Sequence, residues 1–288
     1  PGRQMAGESL TLALAADGSL TSAIGRDGVQ LILPAGEGTP ARQVRARGLD
    51  ATGESGKGLS AASFRDDVEF REETGAKTPP RIARSQALVV SLDGDEVSSA
   101  VFTGRVRFEE KGLTASAGQA RYEPAKGVLR LHGTDEGASP QVRDDRITIE
   151  AAAIAVTLEG RSMDAAGDVK TRLDASSTSP GLLNREQPAN VSARRLEYEG
   201  DAQRAVYTGA AQLWQGDTAI RAERLTIDQA KGNLLASGSA RSTLSLDGAT
   251  SVGRAEEIRY DDETRRLTYV GAIPDAPVGA ISASPVGA

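Results

Sequence analysis

Residues 193–240 read ARRLEYEGDAQRAVYTGAAQLWQGDTAIRAERLTIDQAKGNLLASGSA, and one pattern passes through them twice. An alanine is followed three residues on by leucine and five on by an aromatic or branched residue. A turn comes next, and a glycine stands sixteen residues after the alanine. Ala193, Leu196, Tyr198 and Gly209 form the first copy, and Ala222, Leu225, Ile227 and Gly238 the second. Such a repeat governs the fold class, because each copy is one supersecondary unit that buries its apolar face only against its neighbours.

The register extends in both directions. The alanine slot falls at Gly7, Ala46, Ser85, Ala117, Ala151, Ala193, Ala222 and Ala255, and the glycine slot at Asp27, Asp66, Gly104, Gly133, Gly167, Gly209, Gly238 and Gly271. The residues three and five on from the first slot are apolar in every unit, from Leu10 and Leu12 to Ile258 and Tyr260. Eight units thus cover nearly the whole chain. Between units the spacing varies, through the inserts Leu33–Pro40, Glu72–Arg81, Thr134–Pro140 and Asp174–Pro188, which are expected as loops at one place in the unit, leaving one rim tight and the other ragged.

Within a unit the period is two. Phe102, Val106 and Phe108 alternate with polar or small residues, as do Ile147, Ile149 and Ala151, and this is strand periodicity. The phase breaks at the alanine slot, where Ile220 and Ala222 share one parity and Leu225 and Ile227 the other, so a bulge or corner is required to put both pairs on one face. The expected fold is all-β, with repetitive antiparallel hairpins forming an elongated, folded-over β jelly roll of roughly sixteen strands. Residues 1–273 are expected to form a single array, with a possible subdivision near 174–190 into two sandwiches. The tail 274–288 reads as a flexible linker.

The composition narrows the function classes. Net charge is −6, from 34 basic and 40 acidic residues mixed along the chain, so nothing marks a phosphate-backbone footprint and nucleic acid is not an expected partner. The chain has no cysteine and one histidine, His132, which removes thiolate chemistry and multi-histidine metal sites. No run approaches the roughly 18 apolar residues that span a bilayer as a helix. Pro1 is not an initiator, and the chain is expected to be a processed or excised segment.

The repeated form Ile-x-Ala-x-x-Leu-x-Tyr, turn, Leu-x-Ala-x-Gly-x-Val is visible in Ile220–Ala240, and again in Val191–Leu213 with Ala205 and Tyr207 before Gly209. It resembles the OstA-like repeat of the periplasmic lipopolysaccharide-transport proteins, a family that includes a bridge protein and its inner-membrane-anchored relative. The likeness is densest over Gly104–Gly271, whereas the first two units carry Asp27 and Asp66 in the glycine slot. The resemblance implies a periplasmic protein, either free or anchored to the inner membrane by a segment outside this sequence. It also implies an interior that shields the acyl chains of lipopolysaccharide or a similar acylated glycolipid, and end strands that pair with other jelly-roll modules of a transport bridge.

The inward positions are the candidate lipid contacts: Phe102, Val106, Phe108, Tyr122, Leu129, Leu131, Ile147, Ile149, Val169, Leu196, Tyr198, Leu213, Ile220, Leu225, Ile227, Leu234, Ile258 and Tyr260. Ala115, Ala151, Ala211, Ala222 and Ala236 share that face. Apolar walls of this kind suit a lipid pocket, and they equally suit a dry core in which the side chains interdigitate. An open stack of hairpins also leaves two unpaired edges, here expected at Leu10 and Leu12 and at Leu267 and Tyr269, and such edges template strand addition.

Catalytic readings find little. Asp66-Asp67, Asp144-Asp145, Glu256-Glu257 and Asp261-Asp262 lie near turns or strand starts with arginines close by, and read as solvated charge rather than as a carboxylate dyad or calcium loop. Trp214 is expected to pack on its own turn and His132 to lie on the surface. A Gly-rich phosphate loop and a Gly-x-Ser-x-Gly elbow are both missing from the sequence. No enzyme activity, cofactor or metal is expected. The alternatives are a ligand-free structural β-repeat scaffold assembling by its edges and, less favoured, a carbohydrate-active enzyme on a β-repeat frame.

Overall fold

A computed structural model describes residues 4–271 except 37–38, 76–77, 95, 135–138, 176–179 and 247–248. The strands, in chain order, are β1 (Gln4–Ala6), β2 (Ser9–Leu14), β3 (Leu20–Arg26), β4 (Val29–Leu33), β5 (Arg42–Ala46), β6 (Gly48–Glu54) and β7 (Gly58–Glu72). They continue as β8 (Arg81–Asp93), β9 (Glu96–Glu110), β10 (Leu113–Glu123), β11 (Val128–His132), β12 (Gln141–Arg143), β13 (Ile147–Glu150) and β14 (Ala153–Thr157). The last are β15 (Ser162–Leu173), β16 (Ala189–Glu199), β17 (Arg204–Gln215), β18 (Thr218–Asp228), β19 (Asn233–Leu246), β20 (Ala249–Asp261) and β21 (Arg266–Val270). One 3₁₀ turn, Pro124–Lys126, accompanies them, and no α-helix occurs among the described residues.

Five pairs of these strands, β1–β2, β3–β4, β5–β6, β11–β12 and β13–β14, are the two halves of one rung interrupted at a repeat slot. The 21 segments therefore make sixteen rungs, the number that the eight units imply. Every pairing is antiparallel and joins rungs adjacent in sequence, from β2 with β3 and β1 with β4 through to β20 with β21. The same holds where a rung is split: β10 pairs with both β11 and β12, which pair in turn with β14 and β13.

Each rung bends at its slot, so the sheet folds over into two facing walls. In β17 and β18 the ladder is interrupted between Thr208 and Ala211 on one strand and between Arg221 and Arg224 on the other. The three-residue step from Ala222 to Leu225 is the phase break visible in the sequence. One wall ends in the short hairpin turns within units, and the other in the connections between units. They are called here the turn-side and loop-side walls.

The corner has a backbone signature: two consecutive residues with positive φ. Gly104 and Arg105 have φ of 80° and 48°, Gly167 and Asp168 80° and 48°, Gly209 and Ala210 83° and 51°, and Gly238 and Ser239 83° and 51°. Glycine leads each pair for a second reason besides φ. A Cβ at Gly209 would lie 2.8 Å from Arg194 Cβ across the hairpin, and one at Gly238 2.8 Å from Glu223 Cβ. Asp27 and Asp66 take the same conformation, at φ 57° and 61°, so the first two units keep the corner with a residue type that visits the left-handed region at modest cost.

One expectation is corrected. Three inserts do connect rungs on the loop side, but Thr134–Pro140 falls between β11 and β12, inside a rung at its corner. The ragged rim is thus interrupted there by an insertion at the fold line, where an extra loop leaves both half-strands free to keep their neighbours. The tail 274–288 lies outside the described residues.

The corner explains a mutational asymmetry. Gly209→Val should cost roughly 2 kcal/mol or more, from left-handed strain plus the clash with Arg194, whereas Asp66→Gly should change stability by no more than about 0.5 kcal/mol. Urea unfolding of the two variants beside the parent measures both.

Candidate functional site

Alternation places the apolar residues of both walls towards each other. All the candidate contacts from Phe102 to Tyr260 are buried, with Leu131, Ile147, Ile149, Leu196, Ile220, Leu225, Ile227 and Ile258 at 0 % exposure. They belong to one continuous cluster that runs from Ala23 to Tyr260. The interior also includes Val44, Leu49, Phe64 and Phe70 of the early units, which the sequence reading left out of the candidate set although they carry the same alternation. Phe70 packs edge-on against Phe102 at 5.7 Å and against Tyr122 at 6.4 Å, joining the two walls.

This interior is closely filled. Near the N-terminal end a cavity of about 40 Å³ is lined by Met5, Leu31, Leu49, Phe64 and Phe70 among others. An apolar cavity of about 150 Å³ is the size that admits a benzene ring. An acyl chain therefore needs the walls to part.

Three sets of contacts hold the rims together opposite the corners. In the first, Glu72 at the end of β7 is 0 % exposed and accepts from Arg42 Nε at 2.6 Å, Arg81 Nη1 at 2.8 Å and the Tyr122 hydroxyl at 2.8 Å. Arg81 also reaches Glu110 at 3.0 Å. In the second, Arg161 Nη2 donates to the Lys111 carbonyl at 2.6 Å. In the third, Asp262 accepts from the Gly181 N–H at 2.8 Å and Arg185 Nη2 at 2.7 Å. Residues 180–188 form a strap there, fastened by Gln215, whose amide donates to the carbonyls of Asn184 at 2.9 Å and Gln187 at 2.8 Å. Leu183 of the strap is 5 % exposed. The contacts Glu72–Tyr122, Lys111–Arg161 and Arg185–Asp262 each join a loop-side residue to a turn-side residue, whereas Arg42 and Arg81 flank Glu72 on neighbouring strands of the loop-side wall.

The two ends differ. At the N-terminal end Leu10, Leu12 and Leu14 of β2 are exposed, at 36, 54 and 65 %, because among the described residues no rung lies beyond them. At the C-terminal end Leu267 is half-buried, and Tyr269 crosses from its wall to share a 2.7 Å hydrogen bond with Ser242 Oγ, partly covering the interior.

The acidic pairs serve turns and corners. Asp66 and Asp67 are the left-handed corner pair. Asp144 Oδ1 accepts from the backbone N–H groups of Arg146 and Ile147, both at 2.9 Å, and Asp261 from Thr264 N–H at 2.8 Å. His132 is exposed and Trp214 half-buried. Among the described residues no group of three or more His, Asp or Glu is placed to hold a metal ion, and no helix is long and apolar enough to cross a membrane.

Burial raises the pKa of four tyrosine hydroxyls and so suppresses their ionisation. Tyr122 is held up by burial and by Glu72, Tyr198 by burial and by Asp144, and Tyr207 by burial. Tyr260 is pushed up to about 12 by burial and its hydrogen bond to Asp262. The folded chain therefore holds phenol protons more tightly than the unfolded one. Stability should be complete below about pH 10 and fall as pH rises from there through about 12, with phenolate absorbance appearing together with unfolding. A second expectation concerns the first rim contact: Glu72→Ala strands the buried Arg42, leaves Arg81 with Glu110 alone, and should cost about 3–5 kcal/mol in chemical denaturation.

Residues 190–273 match the family model described as "LptA/(LptD N-terminal domain) LPS transport protein". No curated protein was found to match the chain. The matched segment begins in β16 and takes in the last three repeat units, including the two copies that first reveal the pattern. Over residues 190–273 the chain is thus similar to the lipopolysaccharide-transport family whose repeat its pattern resembles.

Proposed function

We propose that the chain is a non-enzymatic lipid-handling protein of the periplasm, in which the facing walls shield the acyl chains of lipopolysaccharide or a similar glycolipid on its way to the outer membrane. The observation that carries this reading is the apolar interior, continuous from Ala23 to Tyr260 and sheathed by charged outer faces, in a chain whose last units match a lipopolysaccharide-transport family. Burial of each acyl methylene is worth about 0.8 kcal/mol, so a chain of a dozen carbons offers several kcal/mol towards separating the walls.

The unpaired backbone of β2 at one end and β21 at the other supports end-to-end pairing with similar modules, residues 4–271 acting as one array. The exposed Leu10 and Leu12 would then be covered by a partner, as would Tyr269. Transport along such an array needs an external energy source.

The near-absence of free volume favours a second reading, a ligand-free scaffold that assembles by its edges. Titration of fluorescent lipopolysaccharide into the purified chain separates the two. A lipid carrier binds saturably and loses at least about tenfold in affinity on Leu213→Asp or Ile227→Asp, with circular dichroism reporting a retained fold; a scaffold shows no saturable binding.

A further inference from the structure

The repeat brings one pair of inward positions together across the walls: the residue four after a glycine slot on the loop side, and the residue two before the next unit's glycine slot on the turn side. In the early units the pair is Phe70 and Phe102, in edge-on contact at 5.7 Å. At the C-terminal end it is Ser242 and Tyr269, hydrogen-bonded at 2.7 Å. Midway along the molecule it is Thr171 and Tyr207.

Thr171 is 3 % exposed and Tyr207 0 %; neither hydroxyl makes a hydrogen bond of regular geometry, and Thr171 gives Tyr207 only a loose side-chain contact that partly offsets the effect of burial. The fold does not require oxygen there, since Phe70 and Phe102 fill the equivalent positions with hydrocarbon, and Val and Phe would keep the shapes of Thr and Tyr. Burying hydroxyls whose hydrogen bonds are weak or unmade costs stability. Two such groups from opposite walls can satisfy at most one donor between them, which leaves the second donor and free lone pairs inside an apolar interior.

We propose that Thr171 and Tyr207 form a polar contact point within the apolar interior, which receives the oxygen of an oxygen-bearing acyl chain, a hydroxyl or an ester carbonyl, in preference to plain hydrocarbon. This rests on the reading that the interior carries acyl chains, and adds to it a determinant of which chains are held and in what register. Thr171 lies between the rim residues Arg161 and Arg185 in sequence, and both hydroxyls are buried, so a chain reaches the pair only after the walls part. Its end-of-array counterpart, Ser242 with Tyr269, shows the geometry when the two hydroxyls satisfy each other.

The test is displacement of a fluorescent fatty acid by stearate and by hydroxystearate, whose hydroxyl lies mid-chain, from the full chain and from Thr171→Val/Tyr207→Phe. The parent should prefer hydroxystearate by about fivefold, the usual worth of one net hydrogen bond. The double variant should show no preference, bind stearate as before, and unfold at the same or a higher denaturant concentration. Thr171→Val alone should lower the preference and Thr171→Ser should keep it, which holds the test open if the double variant does not fold. An unchanged preference in the Val variants, or none in the parent, overturns the contact point while leaving the carrier reading intact. Failure of the parent to bind either acid overturns both.

Discussion

The structure depends on a backbone constraint: two successive residues in the left-handed region at the corner, found in six of the eight units, with the insert Thr134–Pro140 at the corner of the fourth. A strand that accepts this pair turns sharply and continues on a second wall with its apolar parity preserved, as Tyr207 and Ala211 do on either side of Gly209 and Ala210. Without the corner, the sixteen rungs would form a flat ribbon with one apolar face open to water. With it, that face closes on itself, and the hydrophobic effect acts across the fold line instead of driving association of molecules. The glycine is selected twice, by φ and by the side chain that stands 2.8 Å from where its Cβ would be.

The corner also decides where polarity is tolerated. Opposite the corners the walls have free rims, and there the chain places buried charge, Glu72 with Arg42 and Arg81, and hydrogen-bonded closures at Lys111 and Asp262. Such contacts contribute little net stability relative to an apolar equivalent but are costly to break one partner at a time. They suit a seam that must be shut in a defined register yet is not fused. A tightly filled interior behind such a seam is compatible with carrying lipid if the walls part reversibly, since the apolar side chains facing each other would exchange contacts with one another for contacts with methylenes.

The architecture was legible in the sequence because it is repeated and local. The Ala222, Leu225, Ile227, Gly238 spacing encodes a bend, two inward positions and a tight turn, and eight occurrences fix the register. Asp27 and Asp66 depart from the pattern in residue identity but not in conformation, since aspartate shares the left-handed region with glycine. The insert Thr134–Pro140 was misplaced because spacing alone cannot distinguish a loop between rungs from one at a corner. The rim contacts were not legible, for Glu72 and Tyr122 are fifty residues apart and meet only through the fold. Tyr207 stands in the quoted pattern, yet the pairing of its buried hydroxyl with Thr171 follows from the facing wall, which no periodicity describes.

The central claim is that acyl chains lie between the walls. Photo-crosslinking from single sites tests it most directly, with a photoreactive residue at the inward Leu225 or Ile227, or at the outward Arg224, in the presence of lipopolysaccharide. The account predicts adducts from both inward sites and none from Arg224. Folded protein that gives no adduct from the inward sites, or equal adducts from all three, would contradict it.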